Sequence, residues 1–377
     1  MNEQPPFLPG LDMIKQIGAG GMSTVWKAFD RKLNILVAVK ILNDELTNDP
    51  DELELFVAEE KAMENICHQG IVRSYELRTY QGIWYYIMEY VDGYNFGAFL
   101  QRKQHLAEAD CLLICESIAA ALDYAWNDHG VVHCDIKPEN IMINTDGVVK
   151  LTDLGLCHTF QYMQDGRQDV PDHVMGTPAY ISPEQVYGDV ELDCRADIYS
   201  LGASLYHLAT GRVLFPGFGN EAMLRAQCSD SMQAPDPRVF RPQLSEGFCQ
   251  LLEAMLVKNR EYRLSSWQAV CEMCLAIEQG VAFKPRVGTA SSMQLFSSSA
   301  ARQPTAPEIS TAARAGTSTM PKLKPVPKPK QRVLHLFMGG AQPKGPRIQE
   351  DPVTGKKFIR KHKPVNTGFK IHNPTDW

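Results

Sequence analysis

Residues 133–140 read HCDIKPEN. The stretch holds His133, Cys134, Asp135, Lys137 and Asn140, enough for a metal site, a thiol nucleophile or a proton-transfer site. Pro138 forbids a helix interior, so these side chains do not line one helical face. Adjacent His133 and Cys134 point apart, which weakens a thiol–imidazole pair. The residues that follow, IMINTDGVVKLTDLG (141–155), form two alternating runs around Thr145-Asp146-Gly147, a hairpin signal that delivers Asp153 and Gly155 past its second strand. Asp135, Asn140 and Asp153 thus converge on one loop platform. The oxygens of Asn140 and Asp153 suit magnesium, which leaves Asp135 for proton work. Taken singly, each is also ordinary turn chemistry.

Upstream, IGAGGMSTV lies between two β-branched runs, and Gly18, Gly20 and Gly21 allow the backbone to pass close to a phosphate chain. A flexible hairpin would use the same glycines. In VAVK an apolar strand carries Lys40, an ammonium that needs an acidic partner there; Glu59, Glu60 and Glu64 on the next segment are candidates. STVWKAFD and ILVAVKIL extend the strand pattern into an antiparallel meander. DPDELELFVAEEKAMENI has helical spacing with acids in its first turn, and ADCLLICESIAAALDYAWNDHG reads as a helix ending at Gly130. Strands with one helix come first and helices follow, so the expected architecture is α+β, a sheet-rich lobe and a helical lobe around a cleft.

The chain of 377 residues, 44% hydrophobic, is long enough for about two structural units. No apolar run approaches the roughly 20 residues that span a bilayer, and the start lacks a basic leader, so a cytoplasmic protein is expected. The ten cysteines are expected to be reduced, and Cys271 and Cys274, a CxxC with no second pair, to pack in the core. The net charge of −6 hides an asymmetry: residues 281–377 carry 17 Lys+Arg against 4 Asp+Glu, which leaves 21 of the 38 bases and 40 of the 44 acids in residues 1–280. From about 285 to 330 Ser, Thr, Ala, Pro and Lys dominate, a composition of disordered linkers. The expected domains are an extension (1–10), the sheet-rich lobe (11–91), the helical lobe (92–280), a disordered linker (281–331) and a basic segment without assignable pattern (332–377).

In combination these residues closely resemble the protein kinase family, in particular bacterial serine/threonine kinases of eukaryotic-like type, from about Leu11 to about Ala276. IGAGGMSTV resembles the glycine-rich loop, VAVK the segment with the ATP-anchoring lysine, and FVAEEKAMENICHQGIV the helix whose Glu59 pairs with it. IMEYVDG resembles the hinge, HCDIKPEN the catalytic loop and TDLG the magnesium-binding segment. GTPAYISPE resembles the substrate-binding end of the activation segment, ADIYSLG the helix that braces the catalytic loop, and NREYRLSS the segment whose Arg263 pairs with Glu184.

The resemblance implies the bilobal kinase fold, ATP with magnesium (or manganese) as cofactors, and phosphoryl transfer to serine or threonine hydroxyls of protein substrates. Catalytic roles fall to Asp135, Lys137, Lys40, Glu59 and Thr177; nucleotide contacts to Ile17, Gly18, Gly20, Gly21, Ser23, Val25, Ala38, Lys40, Met88, Glu89 and Val91; metal ligation to Asn140 and Asp153. Ser23 stands at the usual third glycine, Leu154 at the usual phenylalanine, and Cys134 at an arginine that normally binds an activation-segment phosphate. A non-RD kinase independent of activation-segment phosphorylation is therefore expected. The alternative is a pseudokinase or nucleotide-binding scaffold. The 286–330 linker is expected to be autophosphorylated, and the basic tail to bind a polyanion or an acidic protein surface.

Overall fold

The computed structural model describes residues 5–153, 177–189, 191–217 and 219–281, and the backbone of two short strands, Ile348–Glu350 and Lys357–Ile359. The expectations for the 281–331 linker therefore lie almost wholly outside the described residues.

The N-terminal lobe is an antiparallel sheet of β1 (Leu11–Ala19), β2 (Ser23–Asp30), β3 (Ile35–Leu42), β4 (Ser74–Tyr80) and β5 (Ile83–Glu89), in the order β1-β2-β3-β5-β4. Helix α1 (Pro50–Glu64) is inserted between β3 and β4. Asp49 caps it by accepting from the backbone N–H of Asp51 and Glu52, and Asp51 and Glu52 lie in the first turn, where the helix dipole favours them. Strand β3 is apolar on both faces. Val37, Val39 and Ile41 pack with Trp26, Ala28, Tyr85 and Ile87. Ala38 and Leu42 pack on the opposite side with Phe56 of α1, Tyr86 and Met88. By strand alternation Lys40 belongs to this second face, where Tyr86 is its cross-strand partner.

The chain enters the second lobe at β6 (Gly93–Asn95), which pairs with β7 (Ile141–Asn144), itself paired with β8 (Val149–Leu151). At Gly93 the strands approach so closely that a Cβ would lie 1.8 Å from the Ile143 carbonyl oxygen. The β7–β8 hairpin expected around Thr145-Asp146-Gly147 is present, with Gly147 at φ 79°. Its helices among the described residues are α2 (Phe96–Lys103), α3 (Glu108–His129), a short α4 (Pro183–Val186), α5 (Cys194–Thr210), α6 (Asn220–Cys228), α7 (Glu246–Met255) and α8 (Trp267–Glu278). Helix α3 ends at Gly130 in the left-handed conformation, as its sequence predicts. Helix α5 is buried along almost all its length, because CRADIYSLGASLYHLAT has apolar or small residues on every face. Cys274 is buried on α8, and Cys271 beside it is a free thiol.

In the tail, where the sequence offers no assignable pattern, Ile348–Glu350 and Lys357–Ile359 pair antiparallel, Lys357 opposite Glu350. The sequence between them, DPVTGK, is rich in turn formers. No described helix is long and apolar enough to cross a membrane.

Candidate active site

Lys40 projects from β3 towards α1, where its Nζ lies 2.6 Å from Glu59 Oε1 and 3.1 Å from Asp153 Oδ1. Burial presses the ammonium to lose its proton, but the oxygens of Tyr86, Asp153 and Glu59 hold its pKa well above the ordinary lysine value. Of the three acidic candidates, Glu59 faces the lysine. Glu60 instead accepts from Ser74 Oγ at 3.1 Å, and burial raises its pKa.

Asp153 follows β8 in a left-handed conformation, φ 57°. Burial acts to raise its pKa, and Lys40, aided by His133 and Lys137, overcomes that effect and holds it below the ordinary carboxylate value.

Residues of the HCDIKPEN loop form a second cluster with Thr177. Lys137 Nζ lies 2.5 Å from Asp135 Oδ2 and 3.0 Å from Thr177 Oγ1, and the Thr177 hydroxyl donates to Asp135 Oδ1 at 3.0 Å. Asn140 Nδ2 donates to the Asp135 carbonyl at 2.9 Å and to its Oδ2 at 3.2 Å. Asn140 Oδ1 has no hydrogen bond among the described residues. It and the Asp153 carboxylate are hard oxygen donors of the kind magnesium takes, and the N–H of Thr152, next to Asp153, donates to the Asn140 carbonyl at 2.9 Å. No cluster of three or more His, Cys, Asp or Glu forms a closed metal cage among the described residues. A pair of protein oxygens fits an ion that keeps phosphate and water in its other positions.

The loop is shaped from below. Asp197, at the start of α5, accepts the N–H of His133 at 2.7 Å and of Cys134 at 2.8 Å, one on each oxygen. Its burial pushes its pKa up to about 6, although His133 and these two N–H groups oppose the shift. Gln185 Nε2 donates to the Cys134 carbonyl at 2.8 Å and Ser204 Oγ to the Ile136 carbonyl at 3.1 Å. The segment bearing Thr177 is docked in turn. Gln227 Nε2 donates to the Pro178 and Ala179 carbonyls, and Tyr180 Oη pairs with His207 Nδ1 at 2.7 Å. Burial lowers the His207 pKa to about 4. Arg263 lies 2.6 and 3.0 Å from the two Glu184 oxygens, and both side chains are almost completely buried.

Cys134 is buried with φ 66°, and it corrects the expectation of reduced thiols throughout. Its sulfur is in a disulfide, whereas the other described cysteines are free. Spacing in the sequence says nothing of such a pairing, because a disulfide depends on Cβ geometry across the fold.

The residues expected around a nucleotide are distributed as follows. Gly18 pairs with Val25 across β1 and β2, the Gly20 N–H donates to the Ser23 carbonyl at 2.8 Å, and Ile17 is partly exposed. Asn43 Nδ2 donates to the Gly21 carbonyl at 2.9 Å, a tie that no sequence signal marks. Val25, Ala38, Met88 and Val91 share one apolar cluster, and Met142 of β7 joins it from the other lobe. The Glu89 side chain is committed to Lys150, 2.9 Å away. A separate cavity of about 410 Å³, lined by Leu214, Phe215, Met232 and Pro235 among others, contains none of these residues.

A profile of the protein kinase domain matches residues 11–275, and the chain belongs to the protein kinase family. A probable serine/threonine-protein kinase of Clostridium perfringens is 38% identical over 206 residues, covering 55% of this chain and 29% of that protein. The serine/threonine-protein kinase PknA of Mycobacterium tuberculosis is 34% identical over 269 residues, 70% of this chain and 60% of PknA. The chain therefore spans less than two thirds of the length of these relatives. Among solved structures, the Mycobacterium tuberculosis PknI kinase domain superimposes with a TM-score of 0.56 at 22% identity, over 72% of this chain and 97% of that domain. The fold is the bilobal kinase fold, with its sheet-rich lobe N-terminal and its helical lobe C-terminal.

Proposed function

We propose that the chain is a serine/threonine protein kinase, transferring the γ-phosphoryl group of ATP to serine or threonine hydroxyls of proteins. One observation carries the reading: the Asp135 carboxylate is bracketed by Lys137 and Thr177, on the loop whose Asn140 stands beside Asp135. In that arrangement Asp135 accepts or orients the proton of the acceptor hydroxyl, and Lys137 offsets charge on the transferring group. Thr177 fixes both side chains. Lys40 holds the α- and β-phosphates with Glu59 behind it, and the apolar cluster of Val25, Ala38, Met88, Val91 and Met142 takes the adenine. Asn140 and Asp153 would hold magnesium, which neutralises phosphate charge when bound.

The test is transfer of labelled phosphate from ATP and magnesium to a generic basic protein. Wild type should transfer and Asp135→Asn should not. Nucleotide binding without transfer in the wild type would instead favour a scaffold.

Regulation follows from position 134. A buried half-cystine has no cation with which to bind a phosphorylated activation segment. Activity is therefore independent of phosphorylation there, and phosphatase-treated protein should keep most of its activity; near-complete loss would refute this. Residues 286–330, rich in Ser and Thr, are acceptors in cis, checked by mass spectrometry after incubation with ATP against the Asp135→Asn control.

A further inference from the structure

Tyr86 stands directly across the sheet from Lys40, β5 against β3, on the face covered by α1. It is wholly buried, its ring centroid lies 5.2 Å from that of Phe56 on α1, and its hydroxyl donates to Glu59 Oε1 at 2.9 Å. That oxygen is also the one that Lys40 approaches at 2.6 Å. One carboxylate oxygen thus receives two donors, a neutral one from the sheet and a charged one from the neighbouring strand. Neither the resemblance nor the roles assigned above include this tyrosine.

The lysine, however, is shared. Its ammonium also reaches Asp153 at 3.1 Å, and Asp153 is the more exposed carboxylate, 33% against 8% for Glu59. An ion pair between Lys40 and Asp153 competes directly with metal ligation by Asp153, because both use the same oxygens. The division of the ammonium between the two acids therefore sets how readily the metal position is filled.

We propose that Tyr86 is a positioning residue: by fixing Glu59 Oε1 it keeps Lys40 on the α1 side and leaves Asp153 free for a divalent cation. The inference rests on the kinase reading above. A buried carboxylate that loses one of two donors gains rotamer freedom, and its grip on the lysine weakens. The ammonium then falls back on Asp153. The same tyrosine also sets the seat of the helix, since Phe56 and Glu59 lie about one turn apart on α1 and meet it together.

The experiment is calorimetric titration of the full chain with ADP at a series of magnesium concentrations, comparing wild type, Tyr86→Phe, Glu59→Gln and the double variant. Tyr86→Phe should raise the half-saturating magnesium concentration about three- to tenfold, while the KM for protein substrate stays near wild type. In the Glu59→Gln background the added Tyr86→Phe should change the magnesium requirement little, because the group it positions is gone. Tyr86→Met, which removes ring and hydroxyl together, should shift magnesium at least as far. Unchanged magnesium dependence in Tyr86→Phe, or an equal shift with and without Glu59, would overturn the proposal. Wild type that binds no ADP at any magnesium level would overturn the kinase reading itself, and this inference with it.

Discussion

The two ends of the site are held by different means. At the sheet end, Lys40, Glu59 and Tyr86 meet through side chains alone, and each group reaches its partner by its rotamer. At the helical end, the loop carrying Asp135 is gripped through its backbone: Asp197 takes two N–H groups, and Gln185 and Ser204 donate to two carbonyls. A side-chain contact can be exchanged for another by a change of χ angle, and Lys40 has two acids within reach. A backbone clamp cannot be exchanged without moving the loop. The sheet end is thus suited to adjust to a ligand, and the helical end to present fixed groups.

The sharpest division between the ends is chemical. Asp135→Asn should lower phosphoryl transfer by about two to four orders of magnitude with little change in thermal midpoint, because it removes a proton acceptor and keeps the shape. Comparing initial rates with the melting curve checks both halves of that statement.

Next in size is the buried pair beneath the loop. Arg263→Met should cost about 3–5 kcal/mol in urea unfolding, since it strands the Glu184 carboxylate away from water. Lys40→Met also strands a buried carboxylate, but Glu59 keeps the Tyr86 hydroxyl as a donor, so it should cost less stability while abolishing transfer. Equal destabilisation by the two would break the contrast.

Asp197→Asn tests the clamp itself. An amide can accept with one atom only, so one of the His133 and Cys134 N–H groups is left unpaired, at about 1–3 kcal/mol. The expected signature is a loss of kcat together with stability, measured on the same preparation.

The smallest effect concerns the docking of the Thr177 segment through His207. Its folded pKa, about 4, lies below the ordinary 6.5. The unfolded chain therefore takes up the proton first, and the stabilisation, fully present above pH 6.5, is lost as pH falls towards 4. Relative to His207→Asn, wild type should lose roughly 1–2 kcal/mol between pH 7 and pH 5, the lower figure applying where solvent reaches the ring. Denaturation of both proteins at the two pH values measures the difference.

Much of this site is legible in the sequence through the family resemblance, whose segments stand in the family's order, and through the chemistry of single residues. A lysine in an apolar strand demands an acid, and the glycine loop, the HCDIKPEN loop and the TDLG turn follow in a fixed succession. The lobes are legible for a similar reason: β-branched runs and long helical periodicities announce the sheet and the helices. What the sequence hides are contacts made by ordinary residues whose neighbours the fold supplies. Tyr86 is one aromatic in an aromatic-rich strand until pairing sets it against Lys40. Asn43 is merely polar, and Met142 belongs to a strand of the other lobe. Asp197 sits inside a recognisable helix, yet its two bonds to the HCDIKPEN loop bridge more than 60 residues of chain. The Cys134 disulfide is hidden most deeply, because a bond between sulfurs leaves no periodicity.

The close approach at Gly93 bears on how the lobes can turn. The sheet lobe is left at Glu89 and the helical lobe is engaged at Gly93, where no side chain fits between β6 and β7. The covalent pivot is thereby confined to Tyr90, Val91 and Asp92, and Val91 is itself packed in the apolar cluster. A rotation of one lobe against the other would have to turn torsions in those few residues and also strain the bridge of Ile71 to Leu151, which ties the chain between α1 and β4 to β8.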